Sequence, residues 1–173
     1  MNPISYWQRL KVAFQYVMPQ IYMTQAAGWL AKQKWGAVTH FVIKAFAKKY
    51  NIDMSIAEKE NFSDYASFNE FFIRPLKENA RPINQNPTAL CCPADGRVSE
   101  CGHIEDDRLL QAKGHFFSLN DLLAENKDLT ETFKNGEFVT TYLSPRDYHR
   151  VHMPCDGTLR KMIYVPGDLF SVN

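Results

Sequence analysis

The first 52 residues contain no aspartate and no glutamate. Their seven basic side chains, Arg9, Lys11, Lys32, Lys34, Lys44, Lys48 and Lys49, therefore have no counter-charge within the region. The other 13 Lys and Arg face all 19 acids, so a net charge of +1 divides into +7 and −6. Such a split suggests a basic surface that meets something anionic, joined to a mildly acidic globular part. No apolar run approaches the ~18 residues that a bilayer-spanning helix needs. The start lacks the basic stretch and apolar core of a secretory signal, since Trp7, Gln8 and Arg9 come too early. The four cysteines (Cys91, Cys92, Cys101, Cys155) form no C-x-x-C, and free thiols in a reducing compartment are the expectation. Repeats and low-complexity tracts are also absent. With 45% apolar residues in 173, there is enough to bury a core in about one domain's length.

All three tryptophans (Trp7, Trp29, Trp35) fall in the acid-free region. Ser5 and Gln8 have capping-box spacing, and Trp7, Leu10, Phe14 and Val17 then share one helical face up to Pro19. A second helix is expected from about Thr24 to Lys34, breaking at Gly36, and a third from about Val38 to Tyr50. Cations and interfacial aromatics without acids suit helices resting on a membrane surface, with Trp7, Arg9, Lys11, Phe14, Trp29, Lys32, Lys34 and Trp35 in contact with lipid. Packing of the same helices against the rest of the protein is the alternative. The cations are too scattered to track a nucleic-acid backbone.

Residues 53–87 read as a connector with one short helix. Ser67 and Glu70 repeat the capping-box spacing ahead of Phe71 and Phe72, and Pro75 stops the helix. Beyond residue 88 the pattern turns to short β-branched or aromatic runs: Ala89–Cys92, Arg97–Cys101, Glu137–Leu143 and Thr158–Val165. Asp95-Gly96 and Asp156-Gly157 are the strongest turn signals. One helical turn, about Leu119 to Ala124, has Ser118 as its cap. The expected fold class is α+β: amphipathic helices over 1–52, the connector, then a mostly antiparallel β-structure over 88–173, incomplete at its C-terminal end.

Reactive side chains concentrate in Cys92-Pro93-Ala94-Asp95-Gly96-Arg97 and in the stretch from Ser144 to Pro154. Ser144 can cap a short helical turn with Pro145 first and Asp147 third, exposing His149, while His152 leaves a strand start in another direction. An Asp that fixes one imidazole nitrogen leaves the other as a base, useful beside a hydroxyl or thiol. A metal site of His149, His152, Cys155 and Cys91 or Cys92 competes, though no standard zinc spacing is met. Two structural histidines remain a third option. A serine hydrolase built on Ser144 or Ser118 lacks a Gly-x-Ser-x-Gly elbow.

Several stretches taken in order, Phe68-Asn69-Glu70-Phe71-Phe72-Ile73-Arg74-Pro75-Leu76-Lys77, Arg81-Pro82, Pro93-Ala94-Asp95-Gly96, Tyr148-His149-Arg150-Val151-His152-Met153-Pro154 and Pro166-Gly167-Asp168-Leu169-Phe170-Ser171-Val172-Asn173, resemble bacterial phosphatidylserine decarboxylase. The resemblance runs the length of the chain and includes the basic aromatic helices. It implies a proenzyme of phospholipid biosynthesis that cleaves itself at a Gly-Ser bond, turning the new N-terminal serine into a pyruvoyl group. That group forms an imine with the amine of phosphatidylserine and serves as electron sink for loss of CO2, leaving phosphatidylethanolamine. Asp95 matches the acid and His152 the base of self-cleavage; His149 matches the histidine of the decarboxylation step. Phe170 and Ser171 are implied to line the pocket, with no metal.

Here the sequence departs from the family. The eight glycines are followed by Trp29, Ala37, Arg97, His103, His115, Glu137, Thr158 and Asp168, never by serine. The pyruvoyl-forming serine is therefore absent, and the expectation is an N-terminal fragment, inactive alone. The implied partners are an anionic phospholipid membrane, phosphatidylserine, the missing C-terminal segment that carries the pyruvoyl group and, as an option, a second copy in a homodimer. The implied location is peripheral, on the cytoplasmic face of the cell membrane. A non-catalytic peripheral protein that binds anionic phospholipid is the alternative from another class.

Overall fold

The computed structural model describes residues 7, 13, 14, 16, 18–105, 108–111 and 115–165. Arg9, Lys11, Phe170 and Ser171, with the Ser5–Gln8 cap, lie outside the described residues; Trp7 and Phe14 are described and helical. Helix α1 (Gln20–Ala31) opens four residues earlier than expected, straight after Pro19. The fixed φ of proline suits a helix start, and Met23 N–H closes the first turn on the Pro19 carbonyl at 3.1 Å. It ends before Lys34 because the next helix claims the backbone. Thr39 Oγ1 accepts from Trp35 N–H at 3.0 Å. Gly36, at φ +57°, then makes the corner into α2 (Ala37–Tyr50).

Thr39, Ile43 and Ala47, four residues apart, form the buried stripe of α2. The helix stops at Asn51 in the left-handed conformation, with Ile52 N–H returning to the Ala47 carbonyl. Ile43 and Ala47 join Tyr65 and Phe71 in a core flanked by Phe46, Ile52, Met54, Phe62 and Phe68. This core crosses residue 52, and within it Tyr65 OH donates to the Lys59 carbonyl at 2.7 Å. Phe71 sits on α3 (Phe68–Phe72), the short helix read from its cap. Ser67 Oγ accepts from Glu70 N–H at 3.1 Å, while Glu70 Oε2 reaches back one residue further than a capping box requires, to Ala66 N–H at 3.0 Å. Lys59 Nζ donates to the other carboxylate oxygen at 2.6 Å.

The β part is smaller than expected, although the α+β class stands. Strand β1 (Arg97–His103) pairs antiparallel with β4 (Glu137–Tyr142), and β2 (Arg108–Gln111) with β3 (His115–Ser118). A register shift at Ser99 makes a bulge, and the Ser99 hydroxyl donates to the Thr140 carbonyl there. Between β3 and β4 lie α4 (Leu119–Leu122), capped by Ser118 as expected, and α5 (Lys127–Phe133), capped by Asn126. Ile104, Leu119, Leu123 and Phe138 make a second, smaller core.

Two expected strands do not form. Thr158–Val165 finds no ladder partner among the described residues and leaves Met162 and Tyr164 87% exposed. Strand composition describes a fit to a pleated, half-buried surface, and here no such surface is offered. Ala89–Cys92 forms no strand: Ala89 N–H closes a turn on the Asn86 carbonyl, and Cys91 N–H bonds across to the Pro154 carbonyl. Neither Asp-Gly pair closes a hairpin. Asp95-Gly96 is a bend leading into β1, where a Cβ on residue 96 would stand 2.5 Å from the Tyr142 carbonyl oxygen.

The Glu70 carboxyl is held below its ordinary value, first by the Lys59 hydrogen bond and then by Ala66 N–H. A depressed carboxyl contributes stability above its unfolded value of 4.5, and that contribution is lost as pH falls through the folded value. Urea unfolding followed from pH 7 downwards should therefore show an acid limb that is shallower in Glu70→Gln than in the parent. Phe71→Ala, emptying a fully buried site, should cost about 3–5 kcal/mol in the same assay at pH 7.

Candidate active site

The two reactive segments meet along their backbones. Cys91 N–H donates to the Pro154 carbonyl at 2.9 Å, and His152 N–H donates to the Pro93 carbonyl at 2.8 Å. These bonds have the register of an antiparallel ladder in which residue 91 opposes 154 and residue 93 opposes 152. Such facing pairs normally exchange two bonds. Here each pair makes one, because Pro154 and Pro93 have no N–H to return. The prolines thus explain both the joint and its failure to become a regular strand.

The segment ahead of His152 is a tight turn rather than the expected helical one. Asp147 N–H bonds to the Ser144 carbonyl at 2.9 Å, and Asp147 Oδ2 accepts from both the backbone N–H and the hydroxyl of Ser144 at 2.7 Å. Aspartate caps serine, the reverse of the expected roles. Two carbonyls of the turn take side-chain donors: that of Arg146 accepts from Arg74 Nη2 at 3.2 Å, and that of Asp147 from His149 Nδ1 at 2.8 Å.

A carbonyl can only accept, so Nδ1 of His149 carries the hydrogen and Nε2 is left for other work. His149 is half-buried instead of exposed, its ring 4.1 Å from that of Phe72 and tilted 41°. His152 is more open. Its Nε2 lies 2.9 Å from the hydroxyl of buried Tyr148, and the two rings stack at 5.5 Å. Asp95 stands at the far side of the joint, two residues beyond Pro93. Its carboxylate takes both oxygens to Arg81 Nε, at 2.9 and 2.7 Å, and the Arg81 guanidinium is held above its ordinary value mainly by that bond. The backbone thus brings Asp95 and His152 to one junction, while their side chains are hydrogen-bonded to other partners. Among the described residues no three His, Cys, Asp or Glu groups converge to hold a metal ion.

Comparison with known proteins bears on this constellation. The phosphatidylserine decarboxylase family model matches residues 68–173, and a model described as PSD matches residues 10–51. The chain belongs to the phosphatidylserine decarboxylase family. It is 88% identical over all 173 residues to the phosphatidylserine decarboxylase proenzyme of Haemophilus influenzae, of which it covers 60%. It is 79% identical over 170 residues to the proenzyme of Pasteurella multocida, with 98% of the chain aligned to 58% of that relative. The proenzyme of Mannheimia succiniciproducens is 76% identical over 170 residues, with the same two shares. The chain thus spans about 60% of the length of the curated relatives it matches.

Within the family match, the structure adds residues that the sequence reading did not single out. Arg81 is hydrogen-bonded to the Asp95 carboxylate and Tyr148 to Nε2 of His152. Both stand inside motif stretches, yet nothing in their spacing gives their partners. Ser144, whose hydroxyl is spent on Asp147, closes the turn.

The Arg81–Asp95 pair is partly open to water, with side-chain exposures of 50% and 26%. A double-mutant cycle of Arg81→Met and Asp95→Asn, read by urea unfolding, should give a coupling under about 1 kcal/mol.

Proposed function

We propose that the protein carrying this chain decarboxylates phosphatidylserine to phosphatidylethanolamine, using a pyruvoyl group made by cleaving its own backbone. The reading rests on the family match, and it is supported by the joint at Pro93 and His152, which ties together the segments that bear the Asp95 carboxylate and the His149 and His152 imidazoles. That donor set fits a reactive carbonyl group, since it can remove a proton on one side and return one on the other. A pyruvoyl group held between these side chains would supply an electron sink for the pair left by departing CO2. The non-catalytic alternative draws no support from the relatives, which are named as decarboxylase proenzymes.

His152 serves as base, removing the hydroxyl proton of a serine supplied from outside these 173 residues. No glycine here is followed by serine, which supports that assignment. The Tyr148 hydroxyl, now on Nε2, marks where an incoming hydroxyl would bind. Asp95 steadies the His152 ring. A carboxylate has about four acceptor sites, so Asp95 can keep Arg81 and still accept from an imidazole. His149, held through Nδ1, presents Nε2 as a lone pair that takes a proton from the substrate's ammonium group and returns it to the substrate carbon after CO2 leaves.

The helices give the protein a peripheral seat on an anionic membrane at the cytoplasmic face. Among the described residues no helix is long and apolar enough to cross a bilayer. Ile21, Tyr22, Trp29, Trp35 and Phe41 are all more than half exposed, and no residue of α1 is buried. Aromatic rings at headgroup depth beside Lys32, Lys34, Lys44 and Lys48 match an interfacial surface, each cation contributing roughly 1 kcal/mol near anionic lipid.

In the complete protein, His152→Ala should run as one uncleaved band on a denaturing gel where the parent gives two; normal cleavage would remove His152 from the role of base. Replacing Lys11, Lys32, Lys34 and Lys48 by Glu should weaken flotation with anionic vesicles and flatten the salt dependence of what binding remains. Unchanged flotation would return the helices to a packing role.

A further inference from the structure

Arg74 is 2% exposed, and its Nε and Nη1 have no hydrogen-bond partner. Burial holds its guanidinium below its ordinary value, with Tyr65 and Asp147 acting in the opposite direction. A guanidinium in that condition is costly, and the Phe71 ring, 5.5 Å away, offsets only part of the cost. Breaches of a local rule of this kind are expected where a site has to be held.

What Arg74 holds is visible in its third nitrogen. Nη2 donates to the Arg146 carbonyl, and from the opposite side Arg150 Nε donates to the Ile73 carbonyl at 2.7 Å. Each segment gives an arginine to the other's backbone. Inside this reciprocal clasp Phe72 meets the His149 ring. Phe72 is itself braced by Phe68, stacked at 6.0 Å, and by Phe46 at 6.2 Å, on a helix fixed by its Ser67 cap. The Arg146 and Asp147 carbonyls thus tie the turn to Arg74 on one side and to the His149 ring on the other.

We infer that Phe72 and Arg74 are positioning residues for His149: the clasp seats the imidazole on the Phe72 ring and keeps the hydrogen on Nδ1, so that Nε2 faces the chemistry. This rests on the decarboxylation role assigned to His149 above. Neither residue touches the junction of Asp95 and His152, so self-cleavage does not depend on them.

The test uses the complete protein with three variants. Phe72→Leu keeps apolar bulk and loses the flat face, Phe72→Tyr keeps the ring, and Arg74→Met removes the clasp on one side. Phe72→Leu should cleave itself normally but lose about 10-fold or more in kcat with KM little changed, and Phe72→Tyr should restore kcat. Nitrogen NMR shifts of the His149 ring should report the Nδ1–H form in the parent and in Phe72→Tyr, with a shift towards the Nε2–H form in Phe72→Leu and Arg74→Met. Ring shifts identical in all four proteins would overturn the inference. So would cleavage and turnover falling together with the unfolding midpoint, the mark of a purely structural role. Should the parent fail to decarboxylate phosphatidylserine at all, the functional reading is lost, while the ring shifts still decide the positioning.

Discussion

Two prolines set the terms of the site. Pro93 and Pro154 each accept one backbone hydrogen bond and return none, so the segments around them are tied together but cannot extend as a sheet. A complete ladder would have committed residues 91–95 and 150–154 to alternating sheet faces. The half-made one stops at its second bond. Asp95 is thereby left on a bend and His152 at a loose end, and each side chain is oriented by a specific partner, Arg81 or Tyr148, rather than by the pleat. The candidate chemistry depends on that interruption, because a triad needs its members to converge from different directions while a pleated strand sends neighbours apart.

How much of this was legible in the sequence varies with range. Caps act over three residues, so Ser67 and Ser118 were readable, and the helices they open fall where expected. Strands β1 and β4 were readable as segments but not as partners, since 33 or more residues separate every paired position. The β2–β3 hairpin carried a faint signal, a pair of leucines and a pair of phenylalanines about a short glycine-containing stretch, and was passed over. Thr158–Val165 shows the opposite error: its residues suit a strand, and nothing among the described residues stands opposite them.

The site divides in the same way. Motif order singles out Asp95, His149 and His152, and the backbone joint brings together the segments of Asp95 and His152. Their immediate partners were not legible. The contact of Phe72 with His149 joins residues 77 apart, and that of Arg81 with Asp95 joins residues 14 apart across an irregular stretch. No periodicity reaches over either gap. Ser144 was misread for a different reason. Serine and aspartate three residues apart can cap in either direction, and here Asp147 accepts from Ser144 while Arg74, from a distant segment, holds the neighbouring Arg146 carbonyl.

One rigid unit connects the basic helices to this chemistry. On α2 the exposed side bears Phe41, Lys44 and Lys48, while the inward side brings Phe46 against Phe68, Phe71 and Phe72. Tyr50 packs on Phe46 at 4.5 Å, and Phe72 in turn carries the His149 ring. If α2 rests on lipid with its outer face, as proposed, the contacts of Phe46 with Phe72 and of Phe72 with His149 would fix the height and tilt of that imidazole above the surface. Close-packed aromatic cores do not deform continuously, so the relation between the exposed face of α2 and the His149 ring is set by the fold and not by a hinge. Under the proposed function, with a substrate anchored in a bilayer, that constraint would do what a deep pocket does for a soluble one: it would limit the positions from which the headgroup can approach Nε2 of His149.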